Sequence, residues 1–375
     1  MKQRRYLLPG IALACGLALA ITGCSGNGGN RANASDFDPE VFPDSTYGDL
    51  SGDIILHDGS GGATLDAYTD TFLKRFQERT GVNTKTEFNG DQSKFFAAAE
   101  SGNVPWSAIA FPTVADFVKA RDGGYLQKID TSKVHTDELE DGTYDDYGFY
   151  TQRYTANIAY NTDSFPDGKG PQNAKDFFDT EKFPGKRCLY DYPQLASTLE
   201  LPLIADGVSH DDLYPLDLDR AFKKLDTIKD DIVWYSDGDS AIRYLTSGEC
   251  DMGTIWSGRG FNAVVKDDAP IEMVWDDAQI ADAVLAVPKD APSPEAGQAL
   301  LAMNIDDKES YANFVNKITY TTQFTDPAAL DGVDEDVKPW LATKENTANG
   351  YNLDSQWYAE NLDDILSKFN AYLQS

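Results

Sequence analysis

Histidine and cysteine are scarce in this chain, with three of the first and four of the second among 375 residues. The histidines, His57, His135 and His210, stand apart, and no cysteine–histidine spacing suits zinc, so neither a metal nor any other cofactor is expected. There is no Gly-x-Ser-x-Gly elbow, no His-Glu-x-x-His and no cysteine with a histidine partner. A secreted hydrolase would therefore have to rely on an unmarked pair among the many acids, and no catalytic residue is expected. Basic residues are few as well: 32 against 62 acids, for a net charge of −30. Such a surface repels phosphate backbones and argues against a nucleic-acid partner. It suits a cationic ligand, or a salty or acidic habitat. Beyond the N-terminus no apolar run is long enough to cross a bilayer.

What is present starts with Lys2, Arg4 and Arg5, followed by an apolar stretch from Tyr6 to Ile21. That stretch falls short of the ~20 residues of a spanning helix and reads as a signal-peptide core, giving an expected signal peptide over 1–23. It ends in Ile21-Thr22-Gly23-Cys24, which resembles the bacterial lipobox, with Cys24 as the lipidated residue. Gln3-Arg4-Arg5-Tyr6-Leu7 partly matches a twin-arginine signal, so the export route stays open between Sec and Tat. Small and polar residues follow, a flexible tether over 24–50. The expected location is outside the cell membrane, anchored to its outer face by lipid on Cys24.

The body alternates strands and helices. Asp53–His57 reads as a strand, followed by the loop Asp58-Gly59-Ser60-Gly61-Gly62 and a helix with Leu65, Tyr68, Phe72 and Phe76 at helical spacing, closed by Gly81. Further strands are expected at Val82–Phe88, Ser107–Phe111, Arg187–Tyr190, Ile232–Tyr235, Asp251–Trp256 and Ile271–Trp275, with helices between them and a last amphipathic helix over Leu353–Leu373. Such alternation implies an α/β protein of two units, each with a parallel sheet covered by helices. The link between them falls near Tyr154–Asn161, and a return crossing near Val284–Pro288. Two extended crossings make a hinge, and the cleft between the units can enclose a solute. Cys188 and Cys250 each open an apolar run. If those runs are neighbouring strands a disulfide is geometrically possible, with two buried thiols as the alternative.

Three segments then resemble a known family: Phe183-Pro184-Gly185-Lys186-Arg187, Leu213-Tyr214-Pro215-Leu216 with the helix after it, and Gly248-Glu249-Cys250-Asp251-Met252-Gly253-Thr254-Ile255-Trp256-Ser257-Gly258-Arg259. Together they look like the spermidine/putrescine-type extracellular solute-binding proteins of ABC importers. The resemblance implies the two-lobed periplasmic-binding-protein fold of the second type, with hinge strands between lobes: lobe 1 over 51–156, lobe 2 over 157–284, and a return to lobe 1 with C-terminal helices over 285–375. It implies a monomer that takes up one small solute and delivers it to a permease, without catalysis.

For the ligand site, the resemblance implies contacts from the loop after the first strand (His57, Asp58, Ser60), Thr113, Trp256 as an aromatic wall, and Tyr320. Polyamine binders also place acids after the first strand of the second lobe, where this chain has Tyr192 and Leu195, and five residues before the proline of the return strand, where it has Ala283. Asp282 is one step away, and one step in a strand turns a side chain to the opposite face. Asp191, Tyr192, Ser236 and Asp237, at strand-to-helix loops, and Asp282 complete the expected site. A polyamine is the first expectation for the solute, with an amino acid, a sugar or a metal complex as alternatives.

Overall fold

The computed structural model describes residue 50, residues 52–89 and residues 92–375. The expected signal segment, Cys24 and all but the last residue of the tether lie outside them. Ten strands run in chain order: β1 (Ile54–Asp58), β2 (Thr84–Phe88), β3 (Ala108–Phe111), β4 (Gly148–Asn161), β5 (Arg187–Tyr190), β6 (Ile232–Tyr235), β7 (Met252–Trp256), β8 (Ile271–Met273), β9 (Gln279–Ala286) and β10 (Tyr351–Asn352). They form a path β2-β1-β3-β9-β4-β7-β5-β6, with β10 beside β9 and β8 beside β4.

The two ends of this path differ from its middle. β1 pairs parallel with β2 and β3, and β5 pairs parallel with β6 and β7. Each trio is fed by helical crossovers, and its strands read as short apolar runs except for the edge strand β2, whose Thr84–Phe88 is largely polar. β9 and β4 join the trios by antiparallel pairing. The first residues of β4, Gly148–Tyr150, lie opposite Ala286–Val284, while Ala156–Tyr160 lie opposite β7. The other edge of Val284–Ala286 pairs with Ile109–Phe111 of β3. Two strands thus carry the chain between the halves, giving the two-lobed periplasmic-binding-protein fold. The first crossing starts earlier than the sequence suggested, because Gly148–Arg153 carries polar residues and a bulge between Tyr150 and Gln152 that break its alternation.

Local signals set the helices that frame the cleft. Gly62–Tyr68, Thr69–Leu73 and Lys74–Thr80 form one helical run whose middle turn is π-wound; Tyr68, Phe72 and Phe76 are buried on it, and Gly81, at φ 70°, ends it. Thr113 caps the helix Val114–Asp122 by accepting the Asp116 amide at 3.2 Å. Asp237 does the same for Gly238–Ser247 through the Ser240 amide at 2.8 Å.

Cys188 in β5 and Cys250 just before β7 are disulfide-bonded, with Cα atoms 5.8 Å apart. The adjacency of β5 and β7 brings them together, and closing a loop of this length stabilises a chain by about 4 kcal/mol in the chain-entropy account. The C-terminal helix Ser355–Leu373 buries Tyr358, Leu362, Ile365 and Phe369. It packs on the helix Val114–Asp122 of the first half. On the second half, Tyr372 stacks on Phe222 at 4.8 Å and Phe369 meets the Trp234 edge at 5.8 Å. It therefore touches both lobes.

Candidate functional site

A cavity of about 790 Å³ opens where the loops after β1, β3, β5, β6 and β7 converge. These are the carboxyl ends of parallel strands, where the chain turns from sheet to helix and leaves a crevice. Its walls come from both halves: Ser60, Gly62, Thr113 and Gln152 on one side, Tyr190, Asp191, Asp237 and Trp256 on the other.

The floor on the first side is the glycine-rich loop. The Asp58 carboxylate accepts the amides of Ser60 at 2.9 Å and Gly61 at 2.7 Å, bending the chain tightly after β1. Asp58 is itself buried, and that burial pushes its carboxyl up to about 6. Thr113, besides capping its helix, accepts from Gln194 Nε2 across the cleft at 3.2 Å. Tyr154 donates to the Pro112 carbonyl at 2.8 Å, and its ring lies 5.5 Å from that of Tyr320.

Aromatic rings build the opposite wall. Trp256 meets the Tyr190 edge at 5.1 Å, and Tyr190 packs on Tyr235 at 5.3 Å. The buried Tyr235 hydroxyl donates to the Thr254 carbonyl at 2.7 Å, which fixes the stack to β7. After Trp256 the chain enters a helix, Ser257–Phe261, pressed so closely on the Ile318–Tyr320 segment that a Cβ at Gly258 would fall 2.2 Å from the Ile318 carbonyl oxygen. That contact seats Tyr320 in the cleft.

Arg259 follows on the same turn. Its guanidinium lies over the Trp256 ring at 5.6 Å and pairs with Asp239 at 3.2 Å. It also reaches the opposite lobe: a Cβ at Gly62, where φ is 51°, would sit 3.2 Å from Arg259 Nη2. Gly238 gives way in the same manner, since a Cβ there would lie 2.4 Å from Arg259 Nε. Across the cavity, burial raises the Asp191 carboxyl, and the neighbouring charge of Asp237 adds to the rise. Counting its lining, the cavity carries two cations, Lys119 and Arg259, and five acids, Asp116, Asp191, Asp237, Asp239 and Asp363. The arrangement offers a guanidinium beside a glycine loop at one place and, at another, the Asp191 carboxylate within the influence of the Asp237 charge.

Of the residues expected from the sequence, Ser60, Thr113, Asp191, Tyr192, Ser236, Asp237, Trp256 and Tyr320 line this cavity. Three do not. His57 is wholly buried, its ring 4.4 Å from that of Trp106, and burial lowers it to about 4, so it stays neutral near pH 7. Asp58 acts through the loop rather than on the cavity. Asp282 is turned away: its carboxylate pairs with Arg153 through two hydrogen bonds of 2.9 and 3.1 Å. Gln152 and Tyr154 of β4 line the cavity while Arg153, between them, points to the other face with Asp282 opposite it. Sequence reasoning missed Arg259, Gln92, Gln152, Gln194 and the C-terminal Leu362, Asp363 and Leu366. Arg259 closed a quoted motif but showed no sign of turning inward. The remaining histidines are apart from the cleft, His135 on Asp306 at 2.9 Å and His210 on Asp277 at 2.8 Å.

Comparison with known proteins adds the following. The profile of a bacterial extracellular solute-binding protein family matches residues 71–343. The gamma-aminobutyric acid-binding protein of Pseudomonas aeruginosa is 27% identical over 320 residues, covering 83% of this chain and 88% of that protein. Among solved structures, the Atu4243–GABA receptor is 31% identical with a TM-score of 0.77, over 86% of this chain and 97% of its own. The binding protein AgtB from A. tumefaciens R10, in complex with agropinic acid, is 28% identical with a TM-score of 0.76, over 87% of this chain and 100% of its own.

Proposed function

The chain belongs to the bacterial extracellular solute-binding proteins, the solute-capturing components of ABC importers, and we propose that its solute is a small zwitterion of the amino-acid class, with 4-aminobutyrate as the type compound. The observation that carries this is Arg259, a guanidinium held in the cleft between the Trp256 face and the glycine-rich loop. A guanidinium so framed is matched by a carboxylate, which it can meet with two parallel hydrogen bonds. Asp191 and Asp237 lie close enough for their charges to act on each other, and the Tyr190, Tyr192 and Trp256 rings line the same wall. An ammonium group there would relieve the repulsion and lie against aromatic faces. Ligands with both charges use both features.

A diamine would leave Arg259 facing a like charge, which is why the polyamine expectation ranks second. The relatives named for gamma-aminobutyric acid support the same choice. The acting elements are two lobes that meet over the crossings β4 and β9, with the solute between them and released unchanged to the permease. We further propose that the protein is exported as a monomer and held at the membrane by lipid on Cys24. Expression with and without Cys24→Ala, followed by mass measurement of the membrane fraction, tests that anchor.

A thermal-shift screen of the soluble body over amino acids, polyamines, sugars and metal complexes tests the solute class. Ligand at 100 times its dissociation constant stabilises a fold by about 2.7 kcal/mol, enough to read as a clear rise in melting temperature. Zwitterions should raise it; a rise with putrescine or spermidine alone would reject the reading.

A further inference from the structure

The cavity is larger than a short amino acid needs. At about 790 Å³ it sits toward the upper end of the ~300–1,000 Å³ sites that enclose drug-sized ligands. Arg259, Asp191, Asp237 and Asp239 make one charged part of its lining, and another part of the wall is apolar. Phe88 is the clearest case. It ends β2 with 57% of its surface exposed, and among the described residues only it and Val265 are large hydrophobic side chains left so open. A single exposed apolar side chain needs no explanation. Phe88, however, lines the cavity, and its ring lies 2.6 Å from where a Cβ of Gly61 would be, so it abuts the glycine-rich loop.

Among the other apolar side chains of the lining, three come from two helices. Phe96 comes from the helix Ser93–Glu100, and Leu362 and Leu366 stand one turn apart on the C-terminal helix. The rim beside them is polar: Lys119 lies over the Phe96 ring at 5.0 Å and reaches Asp363 at 3.6 Å. An apolar patch with a charged rim, in the same cavity as a charged head site, matches an amphipathic small molecule.

We propose that the natural solute is an amino acid bearing an apolar extension, an aryl or medium-length alkyl group, and that this extension lies against Phe88, Phe96, Leu362 and Leu366. The proposal rests on the zwitterion reading for the head group and adds the substrate's second part. Phe88 and Leu366 then act as specificity-determining residues.

The test is calorimetric titration of the wild-type body and of the Phe88→Ala and Leu366→Ala variants with 4-aminobutyrate and its 3-propyl, 3-hexyl and 3-phenyl derivatives. In the wild type at least one derivative should bind about tenfold more tightly than the parent, the gain expected from burying such a group against aromatic and leucine side chains. In Phe88→Ala the ratio between that derivative and the parent should fall to about twofold or less, with Leu366→Ala in between. If 4-aminobutyrate binds and no derivative gains, the apolar site is refuted while the zwitterion reading stands. If the gain survives both substitutions, the extension lies elsewhere and the assignment to these residues is refuted. Binding of none of the four compounds would refute the head-group reading, and this inference with it.

Discussion

Arg259 owes its place to what its neighbours lack. Gly62 and Gly238 leave the space it fills, and Trp256 supplies the face beneath it. Gly62 and Gly238 lie far from it along the chain, and Trp256, three residues before it, does not fix which way the guanidinium turns, so no local pattern marked this arginine for the cleft. Its ion pair with the more exposed Asp239 adds little to stability in water. Its worth lies in the ligand: replacing Arg259 by Ala should weaken 4-aminobutyrate binding by about ten- to a hundredfold, the range for losing charge-assisted hydrogen bonds. Arg259→Lys should recover part of that, keeping the charge and losing the paired geometry. Titration reads the affinity, and an unchanged melting temperature shows that the fold is intact. Equal affinity in the Ala variant would remove Arg259 from the site. Asp282 was expected in the site, but strand alternation, which puts it one step out of phase with the cleft, prevailed. His57, at the end of an apolar strand, already read more as a structural histidine than as a ligand, whereas nothing local marked Asp58 as still inside the core.

At the level of elements, β5 and β6 have the ends their sequences suggest, because the apolar runs there are bounded by polar turn residues. The helix Lys308–Ile318 went unread, and the contribution of the last helix to the cleft depends on packing that no local pattern encodes. That last helix is tied to the second lobe by a buried carboxylate. Glu200 accepts from the Tyr214 hydroxyl at 2.8 Å and the Tyr358 hydroxyl at 2.7 Å. Burial raises its carboxyl to about 7, against the hydrogen bonds that lower it. A carboxyl raised on folding favours the folded state most at low pH, below its unfolded value of 4.5, and that contribution is lost as pH climbs through about 7. The amount is roughly 3 kcal/mol at most. Glu200→Gln should therefore flatten the fall in melting temperature between pH 4.5 and 7 and make the protein more stable than wild type at pH 8. Parallel pH curves for the two proteins would show that Glu200 is not the group being titrated.

Across the whole molecule, the division into two sheet trios was legible because short buried strands alternate with amphipathic helices, and the two extended crossings could be located to within a few residues. What could not be read was which charges meet when the halves come together. The cleft sets Lys119 and Arg259 among five acids in a chain of net charge −30. Acidity alone pointed toward a cation; the position of one arginine changes the expected solute to a molecule with charges of both signs. Calorimetric titration of the soluble body with 4-aminobutyrate and with putrescine, followed by recovery of the bound compound, tests this most directly. The account predicts one site per chain, binding of the zwitterion about tenfold or more tighter than the diamine as befits one well-matched charge pair, and a ligand recovered unaltered. Tighter binding of putrescine, or a chemically changed product, would contradict it.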